Sequence, residues 1–159
     1  MAPENWRSSY LRQARSDYQM LKKLLAAPNT PLCHQLHYLQ MATEKLSKAL
    51  TTEGAARPAR THNALVKFLQ TAKARPDFQR AFGYGDHTQF AAVINGLLPQ
   101  AQLVEDLSPE GPDHPNPEYP WEAGGNIITP LDHPFSSARF DNLRMAKLLK
   151  FLDKCFELT

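Results

Sequence analysis

Hydrophobic side chains recur at helical spacing along most of the chain. Intervals of three and four residues, which keep side chains on one face of a helix, run through residues 4–27. The apolar residues of this first segment are Trp6, Tyr10, Ala14, Tyr18, Leu21 and Leu25. The same period predicts a short helical turn over 77–85 and four more helices, over 32–52, 62–74, 87–107 and 136–157.

Prolines, glycines and small polar residues mark the ends of these segments. Pro28 and Pro31 separate the first helix from the second, and Gly54 is expected to end the second helix. Pro99 lies inside the 87–107 pattern and predicts either a kink or the start of a new short helix. The predicted N-caps of the later helices are Thr30, Thr61, Asp86 and Ser136 or Ser137.

The overall architecture follows from these segments. A chain of 159 residues has the size of one domain. Helices joined mostly by short connectors favour an antiparallel bundle. We therefore predict an all-α fold, an up-down bundle of about five helices, that forms a single domain over residues 1–159 and carries a long loop insert at 109–134.

The insert at 109–134 differs in composition from the helices. It contains seven prolines and five acidic residues and has no Lys or Arg. It is too long for an ordinary connection, yet it holds large apolar side chains that a flexible linker does not need. We expect an ordered loop that these side chains pin to the surface, with a short extended stretch at 126–130. They are Tyr119, Trp121, Ile127, Ile128 and Leu131.

Composition narrows the class of protein. The hydrophobic fraction is 42% and the charged fraction 21%, which is typical of a globular protein rather than a disordered chain. No apolar run reaches the ~18 residues of a membrane span, and the N-terminal residues lack the apolar core of a secretory signal. We therefore expect a cytoplasmic protein that does not enter the membrane, with Cys33 and Cys155 as free thiols.

Charge is divided unevenly along the chain. Residues 1–75 carry 12 Lys or Arg against 4 Asp or Glu, whereas residues 76–159 carry 6 against 12. The halves therefore have net charges of +8 and −6, which add to the overall +2. A basic half attracts phosphates or nucleic acid. The alternative is that its basic residues only line solvated helix faces.

One candidate for chemistry is the pair Arg57 and His62, with Arg60 and Asn63 beside them. Arginine stabilises phosphate charge through forked hydrogen bonds, and histidine transfers protons near neutral pH. The start of the helix at 62–74 adds backbone donors for an anion. The alternative is a helix cap with a nearby surface histidine.

A second candidate is a mostly polar stripe on the helix at 32–52, which is expected to face the same groove as His62. If it faces a neighbouring helix, each buried polar atom needs a partner. The alternative is an exposed helix surface on which Glu44 and Lys48 form an ordinary i, i+4 pair. The stripe consists of His37, Gln40, Met41, Glu44, Lys45 and Lys48.

Other chemistries have little support in the sequence. Cys33, His34 and His37 supply too few ligands for a zinc site, so we expect no metal and no cofactor. Glycine-rich phosphate loops, the dinucleotide-binding fingerprint and the hydrolase nucleophile elbow are all absent from the sequence.

Two short motifs resemble the higher eukaryotes and prokaryotes nucleotide-binding (HEPN) superfamily. The family pattern has a glutamine, then Ala-x-Glu-Lys with a lysine three residues on, and after a short loop Thr-His-Asn/Asp-x-Leu. Residues 38–50 and 60–65 match it with YLQMATEKLSKAL and RTHNAL. The resemblance extends over residues 6–72 and includes the acidic Asp17 in the first helix.

The resemblance implies a four- or five-helix bundle that often forms a homodimer. Many HEPN proteins cut RNA as toxins or defence nucleases, using an arginine and a histidine at the dimer cleft. Others pair with a small nucleotidyltransferase and bind nucleotides. Carried over to this chain, His62 is the proton-transfer residue and Arg57 its phosphate partner, while Glu44, Lys45 and Lys48 line the adjacent groove.

The resemblance favours nucleotide binding over RNA cleavage, because Pro58 follows Arg57 where the nucleases usually have a polar residue. The leading hypothesis is a nucleotide- or RNA-phosphate-binding bundle, the partner of a small nucleotidyltransferase in a toxin–antitoxin-like system. A metal-independent ribonuclease that uses Arg57 and His62 is the first alternative. A non-catalytic interaction module, with Tyr119 and Trp121 as partner anchors, is the second.

Overall fold

The chain is an all-α helical bundle, as the periodicity predicts. The computed structural model describes residues 5–52, 56–59, 61–108 and 113–159. Six α-helices occupy most of these residues, and none of them is long and apolar enough to cross a membrane. They are α1 (Trp6–Ala26), α2 (Leu32–Thr51), α3 (Ala64–Ala72), α4 (Pro76–Ala81), α5 (His87–Glu105) and α6 (Leu143–Glu157).

Helices α1 and α2 pack along each other as a hairpin. Asn5 caps α1 by accepting a hydrogen bond of 2.9 Å from the Ser8 amide, and the Ser8 hydroxyl accepts from the Asn5 amide. This reciprocal cap satisfies two backbone donors that a helix start leaves open. The apolar stripe of α1 then buries Ala14, Tyr18 and Leu21, which fixes the face that α1 presents to the bundle.

An ion pair with a buried carboxylate joins the two helices of this hairpin. Lys45 Nζ on α2 lies 2.5 Å from Asp17 Oδ2 on α1, and Gln13 donates to the other carboxylate oxygen at 2.9 Å. Asp17 is only 7% exposed, so the lysine supplies the partner that a buried carboxylate requires. The contact sets the rotation of α2 relative to α1.

The remaining helices close the core around aromatic rings. Helix α3 packs against α2 and α5, and α6 packs against α5. Phe82 stacks on Phe151 of α6 at a centroid distance of 4.7 Å, and Phe68 meets Phe78 edge-on at 5.7 Å. The two cysteines, Cys33 and Cys155, are buried free thiols, as predicted.

The described part of the Pro-rich insert holds a small antiparallel hairpin. Its strands are β1 (Trp121–Ala123) and β2 (Asn126–Ile128), with Trp121 opposite Ile128. Trp121 is 3% exposed and packs with Phe135, so it does pin the loop. The prediction is wrong for Tyr119, Ile127 and Leu131, which are 60%, 81% and 60% exposed.

Several predicted helix ends are wrong by a few residues. Helix α2 has Pro31 at its N-cap position, and the Thr30 hydroxyl instead bonds the Ala27 carbonyl oxygen. Helix α3 starts after Asn63 rather than Thr61. Helix α6 is capped by Asn142 because residues 136–138 form a separate short 3₁₀ turn.

The predictions for Asp86, Pro99 and Gly54 have different outcomes. The Asp86 cap of α5 is confirmed, since its carboxylate accepts from the Thr88 amide at 2.8 Å. Helix α5 continues through Pro99 as one helix, so the alternative of a second short helix is wrong, and the alternative of a kink stays a prediction. Gly54 lies outside the described residues, and α2 already ends at Thr51.

Two glycines provide a matched test of this backbone. Gly96 lies inside α5, and an added Cβ there meets no atom within 4 Å. We expect Gly96→Ala to raise the free energy of unfolding by about 0.5–1 kcal/mol, because alanine favours the helix, and to raise Tm by about 2–4 °C.

Gly83 is the control, because its φ of +80° is a conformation that alanine rarely adopts. We expect Gly83→Ala to lower Tm although there is equal space for its methyl group. Thermal unfolding followed by circular dichroism measures both variants. Shifts of the same sign in the two variants would contradict the backbone described.

Candidate functional site

One carboxylate joins the two sequence motifs. Glu44 Oε1 lies 2.5 Å from Lys48 Nζ, one turn further along α2, and Glu44 Oε2 lies 3.1 Å from His62 Nδ1. Helical spacing places positions 44 and 48 on one face, and the connector before α3 brings His62 to that face. The predicted grouping of Glu44, Lys48 and His62 is therefore present.

Burial distinguishes these residues from a solvated helix surface. Lys48 is 7% exposed, and the Glu44 side chain is 17% exposed. The alternative interpretation of an ordinary exposed pair is therefore wrong for this lysine. Because a buried ammonium group needs an anionic or polar partner, Glu44 determines where the Lys48 charge lies.

Of the two ring nitrogens of His62, Nδ1 contacts a carboxylate of the protein and Nε2 is available for a ligand. Its side chain is 59% exposed, and its Nδ1 contacts Glu44. A carboxylate accepts hydrogen bonds, so this contact favours the tautomer in which Nδ1 carries the proton. In neutral His62 the lone pair is then on Nε2, which can accept a proton from a ligand.

A basic pocket lies beside this cluster, with a volume of about 790 Å³. Five cationic residues line it, and none of the described lining residues is acidic. They come from α1, the end of α2, the connector after it, α3 and the residue before α4. The cations are Arg7, Lys48, Arg57, Lys67 and Arg75, and the hydroxyl-bearing residues among the lining are Thr51, Thr52, Thr61 and Thr71.

Two of the five cations are already neutralised. Lys48 is paired with Glu44. Arg75 binds Asp77 through two hydrogen bonds of 3.1 and 2.5 Å, a contact that raises the pKa of Arg75 and lowers that of Asp77.

The other three cations, Arg7, Arg57 and Lys67, have no acidic partner in the described part of the chain. Their positive charge is therefore available for a ligand. Arg57 also touches an aromatic ring, because its guanidinium carbon lies 5.1 Å from the centroid of Trp6.

Glu105 is a site residue that the sequence analysis missed. Its Oε1 accepts a 2.9 Å hydrogen bond from the Val66 amide at the start of α3, and burial raises the pKa of this carboxyl group. The helix start predicted to bind an anion therefore already holds a carboxylate of the protein itself. Helical spacing from Ala101 places Glu105 on the buried face of α5, and this was the available signal.

The other predicted binding residues are dispersed. Lys45 faces α1 and pairs with Asp17 rather than facing the groove. His37 Nδ1 lies 3.3 Å from Glu118 Oε1 in the Pro-rich insert. Asn63 is exposed at the N-cap position of α3 without a side-chain capping bond. Arg60 lies outside the described residues.

The predicted partner anchors differ from each other. Trp121 is buried against His133 and Phe135, so its use as a surface anchor is wrong. Tyr119 is 60% exposed and stays a prediction.

No group of three or more potential metal-binding side chains is found among the residues that the structure describes. Cys33 is buried while His34, its neighbour on α2, is exposed. These two residues therefore do not face a common site.

A second groove in the molecule is larger but chemically mixed. It has a volume of about 1020 Å³ and lies between α5 and α6. Asp153 and Glu157 line it together with basic and aromatic residues. An anion in this groove would be repelled by the two carboxylates and would face apolar walls. The basic pocket is therefore the better candidate for binding phosphate.

Comparison of the chain with protein-family models, with curated proteins and with solved structures found no match. The HEPN resemblance therefore stays a prediction from short motifs. Function has to be inferred from the geometry of the pocket.

The Glu44 carboxylate can be tested as the partner of Lys48. We expect Glu44→Gln to lower the free energy of unfolding by about 1–3 kcal/mol, because it leaves a largely buried ammonium group without an anion. In the Lys48→Met background the same change has a smaller effect, since no charge then needs a partner. Denaturant unfolding of the parent, both single variants and the double variant measures this coupling. Strictly additive effects would contradict it.

Proposed function

We propose that the protein binds the phosphate group of a nucleotide or of RNA in the basic pocket. The observation that carries this proposal is a cavity lined by five cations, with no acidic residue among the part of its lining that the structure describes. A volume of about 790 Å³ lies in the range of small-molecule sites. The three cations without acidic partners supply the attraction, and the threonine hydroxyls supply neutral hydrogen bonds.

The positions of three carboxylates near the pocket support this assignment. Glu44 and Asp77 are paired to pocket cations, and Glu105 is bonded to the backbone of α3. None of these carboxylates is among the residues that line the pocket. Partnership with a small nucleotidyltransferase, a toxin–antitoxin role and homodimer formation are parts of the hypothesis that rest on the motif resemblance alone.

Charge reversal at two unpaired cations tests phosphate binding. We expect Arg7→Glu combined with Lys67→Glu to weaken binding of labelled single-stranded RNA and of AMP by at least about tenfold, because each lost phosphate contact removes a charge-assisted interaction. The salt dependence of RNA binding should also become less steep. Fluorescence anisotropy measures the RNA, and calorimetry measures AMP.

The matched control carries the same change of net charge at a different place. Lys147→Glu combined with Lys150→Glu alters two cations of the α5–α6 groove. Equal weakening by the two double variants would indicate nonspecific attraction and would overturn the proposal. Absence of binding by the parent protein would overturn it directly.

The second candidate function is metal-independent RNA cleavage. The observation that favours it is the exposed His62 imidazole, whose Nδ1 contacts Glu44. His62 follows Thr61 in the chain, and Thr61 lines the pocket. In this reaction His62 Nε2 removes the proton of a ribose 2′-hydroxyl, and the 2′-oxygen attacks the adjacent phosphorus. The bond from phosphorus to the 5′-oxygen breaks, the 5′-oxygen takes a proton from water, and the His62 imidazolium returns its proton to the solvent, which yields a cyclic phosphate and a 5′-hydroxyl. Arg57 stabilises the negative charge on the non-bridging phosphate oxygens.

Incubation with RNA in the presence of a chelator tests this reaction. For a genuine nuclease we expect His62→Ala to slow cleavage by about 10²–10⁴-fold, the usual contribution of a general base. Glu44→Gln should slow cleavage less than His62→Ala does, because the Glu44 carboxylate only orients the imidazole. Cleavage by His62→Ala at the rate of the parent would exclude this residue as the base.

A further inference from the structure

An exposed tryptophan lies next to the basic pocket. Trp6 is the first residue of α1, and 41% of its surface is exposed. The other tryptophan, Trp121, is 3% exposed. Large aromatic side chains gain stability by burial, so an indole left open at this position is available to bind something else.

The indole is connected to the pocket by two arginines. Arg7 follows Trp6 in the first turn of α1 and lines the pocket. Arg57 also lines it, and its guanidinium carbon lies 5.1 Å from the centre of the Trp6 ring. The aromatic face therefore adjoins one of the three cations that have no acidic partner, Arg57, and Arg7, which lines the same pocket, follows Trp6 in the chain. A ligand phosphate bound by these arginines would carry its neighbouring groups within reach of the indole.

The chemistry that fits this juxtaposition is a flat aromatic ring attached to a phosphate. Stacking of a base on an aromatic side chain contributes about 1–3 kcal/mol and tolerates any base, because every base has a π-face. Arginine stacks on aromatic planes as well as binding phosphate. Arg57 can therefore stay against a base or turn toward the phosphate without losing all of its contacts.

We infer that Trp6 is a stacking platform for a nucleobase and that the pocket takes a nucleotide unit rather than a simple phosphate. This inference rests on the proposed function and specifies its ligand class. A free nucleotide and single-stranded RNA both present an unpaired base beside a phosphate. In duplex RNA the base faces are already stacked, so a duplex should compete poorly with a single strand.

Tryptophan fluorescence provides a direct test with defined probes. The parent protein is titrated with AMP, ribose 5-phosphate, single-stranded RNA and duplex RNA, with excitation at the red edge of the indole band. We expect AMP and single-stranded RNA to quench the emission, and ribose 5-phosphate to leave it unchanged. By calorimetry AMP should bind at least about fivefold more tightly than ribose 5-phosphate, which corresponds to the lower end of the stacking contribution.

Variants at position 6 separate stacking from phosphate binding. Trp6→Ala should abolish the preference for AMP while ribose 5-phosphate binds as before. Trp6→Phe, which keeps a smaller aromatic face and the helix start, should retain part of the preference. Tyr119→Ala is the control, because Tyr119 is an exposed aromatic residue outside the pocket lining.

The outcomes separate this inference from the proposed function. Equal affinities for AMP and ribose 5-phosphate, with no change in Trp6→Ala or Trp6→Phe, would overturn the stacking platform and leave phosphate binding intact. Failure of every phosphate compound to bind the parent, or full binding by the Arg7→Glu and Lys67→Glu double variant, would overturn both. Loss of the AMP preference in Tyr119→Ala as well would also contradict a specific role for Trp6.

Discussion

The ion pair between the buried Asp17 carboxylate and the partly exposed Lys45 ammonium group sets the rotation of α2, and the arrangement around the pocket depends on that rotation. Adjacent residues of a helix point about 100° apart. With Lys45 held against α1 at 2.5 Å from Asp17, Glu44 lies on a different side of α2, where it contacts Lys48 and His62. Position 48 shares the face of Glu44, which is how Lys48 comes to line the pocket. Apolar contacts between α1 and α2 alone would fix the rotation of α2 less precisely, because dispersion and the hydrophobic effect are not directional.

Three carboxylates lie near the pocket but do not line it. They hold other groups of the protein in place around it. Glu44 holds Lys48 and His62, Asp77 holds Arg75, and Glu105 is bonded to the start of α3. Each acid orients a group near the cavity, and none contributes to its wall. The result is a cavity whose remaining positive charge is uncompensated, although the whole chain has a net charge of only +2.

The grouping of Glu44, Lys48 and His62 could be predicted from the sequence. Glu44 and Lys48 are one helical turn apart, so their proximity is a local property of α2. His62 was added from a short motif, and its 3.1 Å contact with Glu44 confirms the grouping. The same reasoning placed Lys45 and His37 in the groove, where they are not found, because a stripe wide enough to hold all of them covers more than one face of the helix.

The sequence by itself determined which segments are helical and that they form a bundle, because the 3.6-residue period of apolar side chains is a local signal. It also determined the Asp86 cap and the unpaired cysteines. Only the tertiary structure decided that Trp121 is buried while Tyr119 and Ile127 are exposed. It alone also decided that Glu105 reaches α3 and that cations from distant segments share one cavity. These contacts depend on how helices far apart in sequence approach each other, and no local spacing encodes that approach.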